Sequence, residues 1–209
     1  MTLEESLQVA SITSVSRQLF EYKKWRQRPF HTPHHTASAV AMVGGSSPPK
    51  PGEISLARNG VLFLDEVPEY SRQVLEVLRE PLESGEVSIS RGTQQIRYPA
   101  HFQLIAAMNL CPCGYFGDDT RQCDCSAEQI YRYRSRLSGP LLDRIDQRIE
   151  VPPLPAGTFG DETTVELKTS ELKSIIANTR TLMLERQGTL NSKLDNLALS
   201  AVTKRYSEP

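Results

Sequence analysis

The sequence predicts an α/β protein: a parallel sheet with helices packed against it. Three observations carry that reading. Gly60-Val61-Leu62-Phe63-Leu64-Asp65-Glu66 sets four apolar residues directly before two carboxylates, as a buried parallel strand does when it ends at the carboxyl edge of its sheet. Phe102 to Met108 is a second apolar run and ends on the polar Asn109. Between these runs, Val74, Leu75, Leu78 and Leu82 recur at helical spacing.

Taken in chain order, residues 1–24 mix apolar and polar positions. Leu7, Val9, Ile12 and Val15 suit a strand or a strand–helix junction. From Arg26 to Gly52 the chain reads as loop, dense in Gly, Ser and Pro, with Arg26, Arg28, His31, His34 and His35. A loop of that length in a compact domain is usually functional. Its histidines are either ligands and phosphate contacts or locally satisfied surface groups. Ser71 is placed to cap a helix over 72–84, with Pro81 as a kink or end and Gly85 as the stop. Val87–Ser90 and Gln95–Tyr98 alternate around a turn at 91–94, which predicts a β-hairpin with Arg91 and Gln94 at its tip. Those two side chains could reach a phosphate backbone, or could be plain surface structure. Arg148-Ile149-Glu150-Val151 predicts a third strand, closed by Pro152-Pro153. After a Pro/Gly-rich linker at 152–160, residues 170–187 read as helix, with Leu172, Ile175, Ile176, Leu182 and Met183 as its stripe.

Composition narrows the function classes. The 209 residues suit one sizeable domain, or one domain with a small appendage. A net charge of −1 gives no global nucleic-acid signature, so such a contact would need a local basic patch. There is no apolar run of membrane-spanning length, and the acidic N-terminus lacks signal-peptide features; a cytoplasmic location is the expectation. The cysteines are grouped: Cys111 and Cys113 form one C-x-C pair, and Cys123 and Cys125 another. In a reducing compartment, close thiol pairs favour a metal, and Zn²⁺ takes four thiolates in a tetrahedron. Gly114, Gly117 and Asp118-Asp119 give the intervening loop its turns. The C-x-C bite is tighter than the usual zinc spacing, and reduced thiols or a disulfide-forming pair are the alternatives.

Paired acids at a strand end are what a nucleoside triphosphatase uses, the first to hold Mg²⁺ and the second to polarise the attacking water. A polar residue ending a neighbouring strand, here Asn109, can orient that water. An arginine such as Arg144, set in the apolar stretch Leu141 to Ile145, can stabilise transition-state charge from a neighbouring subunit.

Several segments together resemble the magnesium-chelatase-like branch of the AAA+ ATPases, specifically its ComM/YifB competence-helicase group. They are Arg28–Thr36 (RPFHTPHHT), Pro51–Ala57, Gly60–Pro68, Leu78–Glu83, Ile89–Arg91, Ala106–Asn109, Cys111–Gly114 and Ser138–Asp146, and the likeness runs to about Leu194. The resemblance implies a partial AAA+ P-loop core over 1–155 and the start of a small helical lid over 156–209. It implies that Asp65 and Glu66 are the Walker B pair, Asn109 sensor 1 and Arg144 the arginine finger. Gly85–Ala100 would be the pre-sensor hairpin facing the ring channel. ATP and Mg²⁺ would be the cofactors, DNA the partner, and a hexameric ring the assembly, with branch migration in natural transformation as the work. One departure is Leu110, where the family usually carries proline, so the end of that loop is expected to sit differently.

The sequence contains no G-x-x-x-x-G-K-[ST]; Gly44-Gly45-Ser46-Ser47 with Lys50 has neither the spacing nor a following helix. The resemblance puts that loop upstream of Met1. The acid pair alone then has little to hold Mg²⁺–ATP against, so the expectation is no appreciable ATP hydrolysis by this polypeptide. The central strand before that loop would be missing too, which predicts a partly exposed sheet of marginal stability. Two other readings are a magnesium chelatase subunit and a non-catalytic, zinc-stapled DNA-binding or assembly module. The paired C-x-C loop and Pro33–Thr36 favour the competence group over the chelatase.

Overall fold

A computed structural model describes residues 1–16, 21–91, 94–118, 120–152 and 168–203. The chain divides into two compact units, Met1–Pro153 and Leu154–Pro209.

The first unit begins with helix α1 (Leu3–Ser16), not a strand. Thr2 Oγ1 accepts from the Glu5 N–H (3.1 Å) and Glu5 Oε2 accepts from the Thr2 N–H (2.9 Å). That reciprocal cap at the N-terminus favours helix, where apolar spacing alone allowed either structure. The loop-like stretch that follows contains a short strand, β1 (Phe30–His31), and helix α2 (Ala39–Val43), capped by Ser38 Oγ accepting from the Ala41 N–H. A small hairpin, β2 (Gly44–Gly45) with β3 (Lys50–Pro51), leads to α3 (Glu53–Leu56).

Strand β4 (Val61–Leu64) follows. It enters beside β1 because Gly60 has no side chain: a Cβ there would sit 2.0 Å from the Pro29 carbonyl oxygen. That carbonyl accepts from the Val61 N–H at 2.9 Å. A 3₁₀ turn at Val67–Glu69 leads to α4 (Arg72–Val77), capped by Ser71, and then α5 (Arg79–Ser84). The predicted helix over 72–84 is therefore broken at Leu78. Pro81 has no N–H to give the carbonyl four residues back, which belongs to Val77, the last residue of α4. Gly85 ends α5 in the left-handed region (φ 71°), against the His101 ring.

Next come the predicted hairpin, β5 (Glu86–Arg91) with β6 (Gln94–Pro99), and strand β7 (Gln103–Ala106). The main sheet has the order β1-β4-β7, all parallel, with Leu62 opposite Leu104 and Leu64 opposite Ala106. Helices α6 (Ala127–Arg134) and α7 (Gly139–Leu142) complete the unit. An α/β sheet flanked by helices is thus what the chain forms.

The core sits on one side of β4. Leu62 and Leu64 pack with Met42, Ile54, Val74, Leu75, Leu78, Val87, Ile89 and Leu141. On β7's side the sheet is partly exposed, as the sequence predicts: among the described residues no strand pairs with β7's outer edge, and Ile105 is 41% exposed, although the apolar run by itself suited a buried strand. Residues 148–151 form no strand, and Ile149 and Val151 are exposed. Their β-branched sequence has no ladder to join, and Pro152 cannot donate to one.

The second unit contains α8 (Thr169–Gln187), ended by Gly188 at positive φ, and α9 (Asn196–Thr203). Several apolar residues of α8, among them Ile175, Ile176 and Leu182, are exposed. The expected boundary at 155/156 and most of the 152–160 linker lie outside the described residues. Among the described residues no helix is long and apolar enough to cross a membrane.

Candidate functional site

Asp65 and Glu66 emerge from the central strand, β4, and are exposed at its carboxyl end. Glu66 adopts a left-handed backbone (φ 48°), and its N–H donates to Asp65 Oδ1 at 2.9 Å. That conformation costs energy in a non-glycine residue and turns the chain sharply into the 3₁₀ segment. The ladder continues past the strands. Ala107 N–H donates to the Leu64 carbonyl (2.9 Å), and Val67 N–H donates to the Ala107 carbonyl (3.0 Å). Ala107 therefore bridges the residues on either side of the acidic pair. Asn109, two residues further along, begins the loop at that same edge.

The histidine-bearing loop is tied down. His31 Nδ1 lies 2.6 Å from Glu53 Oε2, joining β1 to the start of α3. His35 Nδ1 lies 3.4 Å from Glu66 Oε2, and its ring meets that of Tyr70 edge-on. The Tyr70 hydroxyl donates to the Pro33 carbonyl, and burial, then the nearby Asp65 carboxylate, raises its pKa. Sequence reasoning left these histidines open. The contact between His35 and Glu66 spans 31 residues; the β1–β4 pairing and the Tyr70–Pro33 hydrogen bond bring the two segments together.

Arg144 follows α7 and is engaged within its own protomer. Nη1 donates to the Pro140 carbonyl at 2.6 Å, and Nη2 pairs with Glu83 at the end of α5. The hydrogen bond from Arg144 lowers the Glu83 pKa, with the guanidinium charge adding to it. Arg91 and Gln94 are the closing pair of the β5–β6 ladder; the positions of their side chains lie outside the described residues.

The cysteines form a second constellation. The four sulfurs all lie within 4.8 Å of one another. Cys111 Sγ is 3.3 Å from Cys113 Sγ and 3.7 Å from Cys123 Sγ, and Cys113 Sγ is 3.5 Å from Cys123 Sγ. A tetrahedral zinc with Zn–S bonds of about 2.3 Å needs sulfurs about 3.8 Å apart, so the donor set fits that ion in type, number and spacing. Cys111 is fully buried and its sulfur accepts from the Phe116 N–H at 3.3 Å. The Tyr115 N–H, aided by neighbouring sulfurs, holds Cys113 down to about 6. The Cys125 N–H acts in the same sense on Cys123, but burial and the other sulfurs outweigh it and push that thiol up to about 12. Four crowded thiols do not all ionise without a cation among them.

Helix α6 starts at this centre. Cys125 precedes Ser126, whose hydroxyl accepts from the Gln129 N–H while the Gln129 side chain accepts from the Ser126 N–H. At the other end, Arg134 Nε donates to the Leu110 carbonyl at 2.9 Å, with its guanidinium over the Phe116 ring. Just beyond, Arg136 Nη1 donates to the Pro68 carbonyl (2.6 Å) and pairs with Glu69 at 3.3 Å. Burial first, then the Glu69 and Glu66 carboxylates, raises the pKa of Tyr133.

Comparison with known proteins places the chain in a family. The family described as magnesium chelatase, subunit ChlI, matches residues 1–159. Competence protein ComM of Haemophilus influenzae is 48% identical over 197 residues, covering 94% of this chain and 38% of that protein. The uncharacterized protein YifB of Escherichia coli is 47% identical over 206 residues, covering 98% of this chain and 40% of its own length. The magnesium-chelatase 38 kDa subunit of Cereibacter sphaeroides is 32% identical over 69 residues, which is 33% of this chain. The chain thus spans about two-fifths of its ComM and YifB relatives. With strands, acidic edge and cysteine loop all inside the matched region, the chain belongs to the magnesium chelatase subunit ChlI family, alongside the ComM and YifB proteins.

Proposed function

We propose that this chain is the acidic-edge segment of an ATP-driven, DNA-remodelling ring motor of the ComM type. One observation supports the reading most. The β4–β7 ladder extends through Ala107 to both sides of Asp65-Glu66, so the loop carrying Asn109 opens at the same sheet edge as the acids. Ligands of open α/β sheets bind at that edge.

Asp65 and Glu66 offer exposed carboxylate oxygens, the hard donors that Mg²⁺ takes. In this reading Asp65 holds the ion and Glu66 draws a proton from the attacking water. Asn109 orients that water by hydrogen bonding. Mg²⁺ bound there would offset the negative charge of the phosphates. Arg144, once released from Glu83, would reach a neighbouring protomer in a hexameric ring, and the β5–β6 hairpin would face DNA in the channel. Residues 1–155 would belong to the ATPase core and 156–209 to the start of its lid, and the protein would work in the cytoplasm. The cysteine centre would hold one Zn²⁺. Branch migration during natural transformation is the activity that this assembly would perform. The 48% identity to ComM over nearly the whole chain favours this reading over a chelatase subunit, which matches over one third.

The test uses the protein extended to the length of its relatives. ATP turnover stimulated by single-stranded or branched DNA is expected. Glu66→Gln should lower turnover by about 10²–10⁴-fold with nucleotide still bound. Turnover that survives Glu66→Gln, or none in the extended protein, rejects the proposal. DNA binding without any ATP effect would point instead to a zinc-stapled binding module.

A further inference from the structure

We propose that the four-cysteine centre, with zinc bound, fixes the Asn109 loop against the acidic edge, and that α6 transmits this through Arg134 and Arg136. The inference rests on reading Asp65, Glu66 and Asn109 as a nucleotide site and the cysteines as a zinc site. It adds a positioning role, and positioning residues, to both.

The chain connectivity is specific. Cys111 lies two residues after Asn109, and Cys125 lies one residue before the cap of α6. One ion held by all four sulfurs would tie the end of the Asn109 loop to the start of that helix. The helix then returns to the loop it left. Arg134 Nε donates to the carbonyl of Leu110, the residue between Asn109 and Cys111.

The same helix end reaches the other half of the site. Arg136 Nη1 donates to the Pro68 carbonyl and the guanidinium pairs with Glu69. Pro68 and Glu69 belong to the 3₁₀ turn that begins at Val67, directly after Glu66. Tyr133, next to Arg134 in the same helix, is buried. The 3₁₀ turn after Glu66 and the loop carrying Asn109 are therefore both held by the end of α6 and the residues just beyond it.

That element does not stand alone. Eight residues are too few for a stable isolated helix, even with the Ser126–Gln129 capping box. Helix α6 holds its place by what anchors it at both ends. A zinc centre at the start is the strongest such anchor available, since structural zinc contributes folding free energy directly. Loss of the ion would free the start of α6 and the end of the Asn109 loop together. Arg134 is a positioning residue in this scheme; it touches neither nucleotide nor metal.

Amide hydrogen exchange tests the proposal on the chain as it stands, with zinc bound and after removal by a chelator under reducing conditions. Binding of one zinc per chain is expected. On removal, exchange at Val67 and Ala107, as well as within 111–125, should quicken about tenfold or more. The β5–β6 ladder serves as the control for global loosening. Arg134→Gln should keep its zinc and still quicken exchange at 107–110. If acceleration on zinc removal stops inside 111–125, or Arg134→Gln exchanges like the parent, the coupling is wrong. If removal loosens the control ladder as well, Arg134→Gln decides, because its metal remains bound. A chain that takes up no zinc overturns both this proposal and the zinc reading. The nucleotide reading fails separately, by absence of turnover in the extended protein.

Discussion

The guanidinium of Arg144 is closed onto the carboxylate of Glu83, 61 residues earlier in the chain. A further bond to the Pro140 carbonyl ties the arginine back to α7, the helix it follows. An arginine proposed to act in a neighbouring subunit is thus held at rest by a partner that can release it. The Glu83 side chain is largely exposed and the arginine is more enclosed, so water screens the pair and its contribution to stability is small.

The sign of its pH dependence still follows. Arg144 lowers the Glu83 pKa below its ordinary 4.5 in the folded protein. The pair's stabilisation is therefore present above that ordinary value and fades as pH falls through the depressed one. Glu83→Gln should lower the unfolding midpoint slightly at neutral pH, and the difference from the parent should vanish on acidification. A midpoint difference that persists unchanged in acid would show that the carboxylate charge is not what holds Arg144.

The sheet should be stable on one flank and soft on the other. Leu62 is fully buried on β4, whereas Ile105 on β7 is 41% exposed. Leu62→Ala should cost about 2–5 kcal/mol, by lost transfer energy and an unfilled cavity. Ile105→Ala should cost under about 1 kcal/mol. Urea unfolding of both variants checks this, and equal costs would mean that the exposed side of β7 is covered in solution.

Much of this fold was legible locally. The apolar run before Asp65, the Ser71 cap, the Gly85 stop and the alternating hairpin each form where the sequence puts them, because each is decided by a few adjacent residues. The capping box of Thr2 and Glu5 was equally local and would have identified α1, but apolar spacing through Leu7 and Ile12 was ambiguous. Other features were not local. A two-residue strand at Phe30–His31 exists because Gly60 lets β4 approach Pro29. The Ile149–Val151 segment has strand composition without a partner to pair with. In the candidate site, the cysteine spacing already indicated a cluster, whereas His35 beside Glu66 and Arg134 on Leu110 depend on tertiary packing.

Asp65 should be distinguishable from Glu66 by what each loses. In the extended protein, Asp65→Asn should cut Mg²⁺-dependent turnover by at least about a hundredfold, with the Mg²⁺ requirement shifted to higher concentration. Glu66→Gln should leave that requirement unchanged. The 209-residue chain contains no glycine-rich phosphate loop of its own. With no backbone amides of such a loop to cradle the triphosphate, its own turnover should stay at background. Steady-state phosphate release across a Mg²⁺ series measures all three; an identical Mg²⁺ profile in both variants would remove the separate role given to Asp65.

If the β5–β6 hairpin meets DNA, its tip supplies the charge. Arg91 and Gln94 are the last pair of the ladder before the turn. The protein's net charge of −1 provides no general attraction to a polyanion, which makes a single local cation measurable. Arg91→Ala should weaken single-stranded DNA binding by the extended protein about equally for all sequences, because a phosphate contact reads no bases. Each contacting subunit that loses one phosphate contact should also reduce the slope of log K against log salt by about 0.7. Gln94→Ala carries no charge change, so it should leave that slope intact while weakening binding through a lost hydrogen bond. Binding titrations over a salt series separate the two. An unchanged slope for Arg91→Ala would place the DNA contact on another element and leave the hairpin as surface structure.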